Sequence, residues 1–169
     1  DRKGKRSMKI VAIAGSNHKD SRTNRLLNMW LHLVSELDHS IQYEVFCLRD
    51  FEIKLCEGCE SCFYNGICAL DKWDDMSFLR EKMKQSDVIV FSSPVYLLNM
   101  SGILKNFIDR MAFYTHTLSL SGKLGLTLTT ALSGGEAIVS EMLKRLQIYI
   151  GGKNVNNLIF NATEDDALA

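Results

Sequence analysis

The stretch Met8-Lys9-Ile10-Val11-Ala12-Ile13-Ala14-Gly15-Ser16-Asn17-His18-Lys19-Asp20-Ser21-Arg22-Thr23-Asn24 decides the architecture. Its first seven residues are an apolar run of the kind buried on both faces of a parallel sheet, and Gly15 ends it. Residues 16–24 are dense in hydroxyl and amide side chains. They lead into Thr23–Leu37, where Leu26, Trp30, Leu33, Val34 and Leu37 fall on one helical stripe.

The same alternation continues along the chain. Strands are predicted at Gln42–Leu48, Val88–Ser92 (stopped by Pro94), Leu124–Thr130 and Val155–Phe160. Helices are predicted at Trp73–Gln85, Ser101–Phe113 with Ser101 as N-cap, and Glu136–Ile150, which Gly151-Gly152 ends. Asp71, Asp74 and Asp75 stand near the positive end of the first of these helices. Lys54–Leu70 has no clear period and is expected to be a loop. Strands joined by helical crossovers predict an α/β fold, a three-layer, doubly wound parallel sheet in a single domain over residues 8–161. Residues 1–7 are read as a disordered or vector-derived basic extension and 162–169 as a C-terminal tail. After the fifth strand only Asn161–Ala169 remain, too few for a closing helix.

The 169 residues are 46% hydrophobic and 24% charged, which excludes a disordered chain and suits one domain with a real core. No apolar run approaches the ~20 residues of a membrane span. Twenty basic groups against twenty acidic ones argue against a nucleic-acid binder, which needs a basic face. The run Ile10–Ala14 is shorter than the ~7–15 apolar residues of a secretory signal. Four of the five cysteines crowd into thirteen residues, so a reducing, cytoplasmic setting and a metal or cluster are the expectation, rather than disulfides.

Ligands of open parallel sheets bind beyond the carboxyl ends of the strands, so the loops there carry the chemistry. In the first, Ser16, Ser21, Arg22, Thr23 and Asn24 surround a helix start, a ready anion site. A set of ordinary helix caps would use the same residues. It is neither a Walker loop nor a dinucleotide fingerprint. In the second, Pro94, Val95, Tyr96 and Leu97 could floor a planar ring or plug the end of the core. The third, Thr130-Ala131-Leu132-Ser133-Gly134-Gly135, has paired glycines that let backbone approach a ligand, as a plain helix-start turn also requires.

Taken together, these loops resemble those of the NAD(P)H-dependent FMN reductase family, which has the flavodoxin-like fold. The resemblance lies in Gly15-Ser16…Ser21-Arg22-Thr23-Asn24-Arg25-Leu26 and in Ser93-Pro94-Val95-Tyr96…Ser101-Gly102-Ile103-Leu104-Lys105-Asn106-Phe107-Ile108-Asp109-Arg110, and it extends from Met8 to about Asn161. It implies strand order 2-1-3-4-5, an FMN phosphate on the first loop and the flavin ring on the second and third. It also implies a homodimer or higher homo-oligomer, which the apolar Val95, Leu97, Leu98, Met100, Phe63 and Tyr64 would favour. The family's last helix is missing from the chain.

Cys56, Cys59, Cys62 and Cys68 are spaced Cys-x2-Cys-x2-Cys-x5-Cys. Such thiols suit a cubane cluster, one tetrahedral zinc, or no metal at all, as free thiols or a disulfide. The spacing resembles the compact motif of iron-sulfur flavoproteins in the same family, which carry a four-iron four-sulfur cluster. Cys47 is read as a buried apolar residue. His18, His32 and His39 are read as solvated, with His18 also near the anion loop, and His116 as a group near the ring. Trp30 and Trp73 are read as packing, and Asp109 and Arg110 as paired with neighbours. The reading is an FMN oxidoreductase taking electrons from NAD(P)H, or from a reduced ferredoxin through the cluster, to a small-molecule acceptor. A flavodoxin-type electron carrier and a zinc-stabilised, flavin-free interaction module are the alternatives.

Overall fold

The computed structural model describes residues 7–161. In chain order the elements are β1 (Met8–Ala14), α1 (Arg22–Leu37), β2 (Ile41–Cys47), α2 (Ser61–Asn65), α3 (Met76–Lys84), β3 (Val88–Tyr96), β4 (Asn99–Met100), α4 (Gly102–Asp109), α5 (Tyr114–Thr117), β5 (Leu124–Ala131), α6 (Glu136–Tyr149) and β6 (Lys153–Asn161). Five parallel strands lie in the order β2-β1-β3-β5-β6, and the two-residue β4 pairs antiparallel with the end of β3. Counting the five long strands alone, this is the predicted 2-1-3-4-5 order. The proposed basic extension and C-terminal tail fall outside the described residues except at Ser7, whose hydroxyl donates to the Ser40 carbonyl at 2.9 Å.

The period-2 geometry of β1 divides its apolar residues between two cores. Val11 and Ile13 join α3, α4 and α6 through Met76, Leu79, Met83, Leu104, Phe107, Val139 and Leu143. Ile10, Ala12 and Ala14 join Leu27 and Leu31 of α1 on the opposite face. Each of those leucines is fully buried, worth about 1.5–3 kcal/mol over leaving it in water. On the α1 face β5 and the edge strand β6 keep Leu124, Leu126, Leu158 and Phe160 only half-buried. Among the described residues, no helix is long and apolar enough to cross a membrane.

Four expectations need correction. β3 does not stop before Pro94 but runs on to Tyr96. Its pairing with β1 ends at Ser92, so a residue lacking an N–H costs no ladder bond on that side. The cysteine segment is not all loop: it folds into α2 and a 3-10 turn at Ala69–Trp73. The helix predicted from Trp73 begins at Met76 instead, because Asp74 accepts a hydrogen bond from the Met76 amide at 3.1 Å. Ser101 is the N-cap of α4, its hydroxyl accepting from the Leu104 amide at 3.3 Å. That helix ends at Asp109 and the chain turns into α5.

Candidate functional site

The carboxyl edge of the sheet brings the three predicted loops into direct contact. Gly15 fixes the first. Its amide donates to the Ser92 carbonyl at 2.8 Å, and a Cβ here would lie 2.7 Å from Leu104 Cβ and 2.8 Å from that same carbonyl. The Ser101 hydroxyl donates to the Gly15 carbonyl, tying the N-cap of α4 to the loop. Only a glycine lets β1 and α4 approach this closely.

Beyond Gly15, the loop is held by its own side chains. Ser16 is fully buried, with its hydroxyl 3.4 Å from the His18 amide. The Asn24 side-chain amide donates to the His18 and Lys19 carbonyls at 3.2 and 3.1 Å. Ser21 caps α1 by accepting from the Asn24 amide at 3.1 Å. Two polar atoms of this loop are buried with no hydrogen-bond partner among the described residues: Arg22 Nη1 and Asn24 Oδ1. A buried guanidinium nitrogen without a partner, at the positive end of a sixteen-residue helix, fits an anion.

The first and third loops meet at Thr23 and Thr130, whose buried hydroxyls are 2.6 Å apart. The second and third meet at Gly135, where φ is +90° and a Cβ would come within 3.0 Å of Val95 Cγ1 and Leu98 Cδ2. Ser133 is exposed and Gly134 is half-buried beside it. Neighbouring Glu136, which carries no local signal of a role, receives Asn161 Nδ2 on one oxygen at 3.3 Å, while its buried Oε2 has no partner among the described residues.

The second loop departs most from sequence rules. Between β3 and β4, Leu97 and Leu98 turn the chain with φ of +48° and +61°. Tight hairpins normally place Asn or Gly there, and a leucine in this region costs about 1–2 kcal/mol. Leu97 is nevertheless 99% exposed, so it recovers nothing by packing. Tyr96 and Leu98 are exposed beside it, over a buried Pro94. Backbone outliers of this kind cluster at ligand clamps and active sites.

The cysteine segment is clamped to α4. Asn106 donates to the Ile53 and Lys54 carbonyls at 3.1 and 3.3 Å and accepts from the Cys56 amide at 3.2 Å. Arg110, with no exposed side-chain surface, donates to the Lys54 carbonyl at 2.9 Å and pairs with Asp74 and with Asp71, the latter at 3.1 Å. Asp71 also pairs with Arg80, which extends the pairs into a row of Arg80, Asp71, Arg110 and Asp74. Asp109 turns outward to Lys105 at 2.6 Å.

All four cysteines of the motif line one cavity of about 390 Å³, together with Phe63, Leu70, Asp109 and Arg110. Cys56 and Cys59 are exposed, Cys62 is half-buried and Cys68 is buried, all as free thiols. Burial pushes the Cys62 thiol up, and the neighbouring Cys68, Cys56 and Cys59 add to the rise. Among the described residues, no three His, Cys, Asp or Glu side chains stand close enough together to hold a single metal ion. Half-buried Cys47, in β2, packs with the core on the α1 face and takes no part. His116 meets Phe63 edge-on with ring centroids 4.9 Å apart, which places it against the cysteine segment.

The sequence model of the NADPH-dependent FMN reductase family matches residues 8–166. Two iron-sulfur flavoproteins of Archaeoglobus fulgidus are 37% and 42% identical over 70% and 61% of this chain. The chain spans about half their length, 52% and 48%. An iron-sulfur flavoprotein of Methanosarcina thermophila is 26% identical over 95% of this chain and 87% of its own. Among solved structures, an NAD(P)H:quinone oxidoreductase from Methanothermobacter marburgensis superposes with a TM-score of 0.73 at 19% identity, over 95% of this chain and 88% of that one. The flavodoxin-like sheet, the three joined loops and this match together establish that the chain belongs to the NADPH-dependent FMN reductase family.

Proposed function

We propose that this chain is the FMN-binding part of an oxidoreductase. It would pass electrons from NAD(P)H, or from a reduced ferredoxin-type donor, through FMN to a small-molecule acceptor. The observation that carries the reading is the convergence of three loops at one sheet edge around a helix N-terminus with an unpartnered buried guanidinium nitrogen. Ser16, Ser21, Arg22, Thr23 and Asn24 would hold the phosphate. Pro94, Val95, Tyr96 and Leu97 would meet the ring from one side, and Thr130, Ser133, Gly134 and Gly135 from another. When bound, FMN supplies hydride and single-electron chemistry, and the protein orients it. The absence of a dinucleotide fingerprint favours FMN over FAD. Bound FAD in native protein, or no flavin after reconstitution, would overturn this assignment.

The Thr23–Thr130 contact offers a graded test. Thr23→Val keeps the shape and removes the hydroxyl, so it should weaken FMN about tenfold, roughly 1.4 kcal/mol. Thr130→Val should do the same, and the double variant should lose less than the sum, since the two hydroxyls share one contact. Fluorescence titration of FMN into apoprotein measures all three. Unchanged affinity in both single variants would place the phosphate elsewhere.

Cys56, Cys59, Cys62 and Cys68 are proposed to hold a four-iron four-sulfur cluster. Support comes from their shared cavity, which has more room than one zinc with four thiolates at about 2.3 Å needs, and from relatives named as iron-sulfur flavoproteins. Thiols kept reduced for this purpose suit a cytoplasmic protein. Protein prepared without oxygen should contain iron and acid-labile sulfide beside flavin. Cys59→Ser should remove or alter the cluster while FMN content survives, because the phosphate loop is built separately. Flavin without iron or sulfide in the native protein would sink the cluster and leave the flavin assignment standing.

A homodimer is proposed from the exposed Tyr96, Leu97, Leu98 and Leu132, which belong to loops that touch, and from exposed Phe63 and Tyr64. Sedimentation of the FMN-loaded protein is expected to give twice the chain mass. A monomer at working concentration would end this proposal.

A further inference from the structure

Arg110 carries more hydrogen-bonding capacity than its ion pairs use. Its Nη1 donates to Asp74 and Lys54, and its Nη2 to Asp71 and Asp74 at 3.1 and 3.3 Å. Its Nε is buried and has no hydrogen-bond partner among the described residues. Leaving such an N–H unpaired is costly, more so on a charged group. The same side chain lines the cavity of the four cysteines. Among the thiols of that cavity, Cys68 lies close enough to the guanidinium to interact with it. Cys68 is the one buried thiol of the four.

We propose that Arg110 is a positioning residue for the iron-sulfur cluster, its Nε–H donating a hydrogen bond to the Cys68 thiolate or to an inorganic sulfide beside it. This rests on the cluster assignment above. A cluster on four thiolates becomes more negative by one charge on reduction, so a donor fixed against its sulfur favours the reduced form. Asp71 and Asp74 offset the guanidinium and Arg80 at longer range. The local hydrogen bond therefore carries the effect, raising the reduction potential. Lysine at this position keeps the charge but cannot present an N–H from the same place while holding both aspartates.

The test begins with native protein, reconstituted without oxygen and labelled with 15N-arginine. Pulsed electron paramagnetic resonance of its one-electron-reduced cluster is expected to show a weakly coupled 15N. Arg110→Lys should abolish that coupling and shift the cluster's midpoint potential to a more negative value. A purely structural Arg110 would give neither result. If the native protein takes up no iron and sulfide, the cluster assignment itself falls, and this proposal with it. If the cluster forms but shows no arginine 15N coupling, or Arg110→Lys leaves the potential unchanged, only the role of Arg110 falls. Should Arg110→Lys fail to fold, the labelled native spectrum alone decides.

Discussion

Replacing Asp74 with alanine is expected to cost about 3–5 kcal/mol of folding stability, the penalty for stripping a buried cation of its partner. Arg110 would then face Asp71 alone. The loss extends further, because the Asp74 carboxylate also receives the Lys54 amide at 3.0 Å and the Met76 amide at 3.1 Å. It thus anchors the start of the cysteine segment and the start of α3 together. For a chain of this size the melting temperature should fall by roughly 10 °C or more. A loss below about 1 kcal/mol would mean that water or a rearranged Asp71 replaces the pair.

The same carboxylate sets an acid limit. Burial by itself would raise its pKa, but the hydrogen bond from Arg110 and the amides of Lys54 and Met76 prevail and hold it below the usual range. A depressed folded-state pKa gives stability that is fully present above the unfolded value of about 3.9. That stability is lost as the pH falls from there toward the folded-state value. Urea midpoints should therefore drop more steeply below about pH 4 in the native protein than in Asp74→Asn, which has no such group to protonate. Parallel pH profiles in the two proteins would contradict this.

Gly15→Ala should disturb both stability and flavin binding. One added methyl meets Leu104 Cβ and the Ser92 carbonyl inside van der Waals distance, and neither is the free end of a flexible side chain. Overpacking of this kind costs about 1–3 kcal/mol. Relief requires the end of β1 to move away from α4 and β3, which opens the loop that Ser16 to Asn24 form. FMN affinity is expected to fall by about tenfold to a hundredfold, roughly 1.4–2.8 kcal/mol. Calorimetry and flavin content of the purified variant measure both effects, and wild-type values in each would remove Gly15 from the site.

Some of this was legible in the sequence alone. Alternating Ile10, Val11, Ala12, Ile13 and Ala14 are apolar on both faces, so β1 could only be an interior strand, and its bounds match. Ser101 before an apolar helical stripe marked the N-cap of α4 for the same local reason. The features that escaped notice depend on distant partners. Arg110 lies 36 residues from Asp74 and 39 from Asp71 along the chain, and nothing local distinguishes these aspartates from helix-start charges. The Leu97-Leu98 turn carries no turn residue, and the neighbour it packs beside, Gly135, is distant in sequence. A paired Arg110 is readable from its helix, whereas its place among the cysteines depends on the fold.

The clamp on the cysteine segment has a consequence for the order in which the protein matures. Asn106, Arg110 and Asp74 all hold that segment by its backbone, so these hydrogen bonds do not depend on what the thiols bind. Small zinc-dependent folds recover the cost of ordering their chain only when the metal arrives. Here the hydrogen bonds of Asn106, Arg110 and Asp74 already order part of that backbone, so the proposed cluster would spend less of its binding free energy on ordering the chain. Cys56 and Cys59 stand at the mouth of the shared cavity and Cys68 at its back. Delivery of the proposed cluster would therefore follow folding, reaching the exposed Cys56 and Cys59 before the buried Cys68.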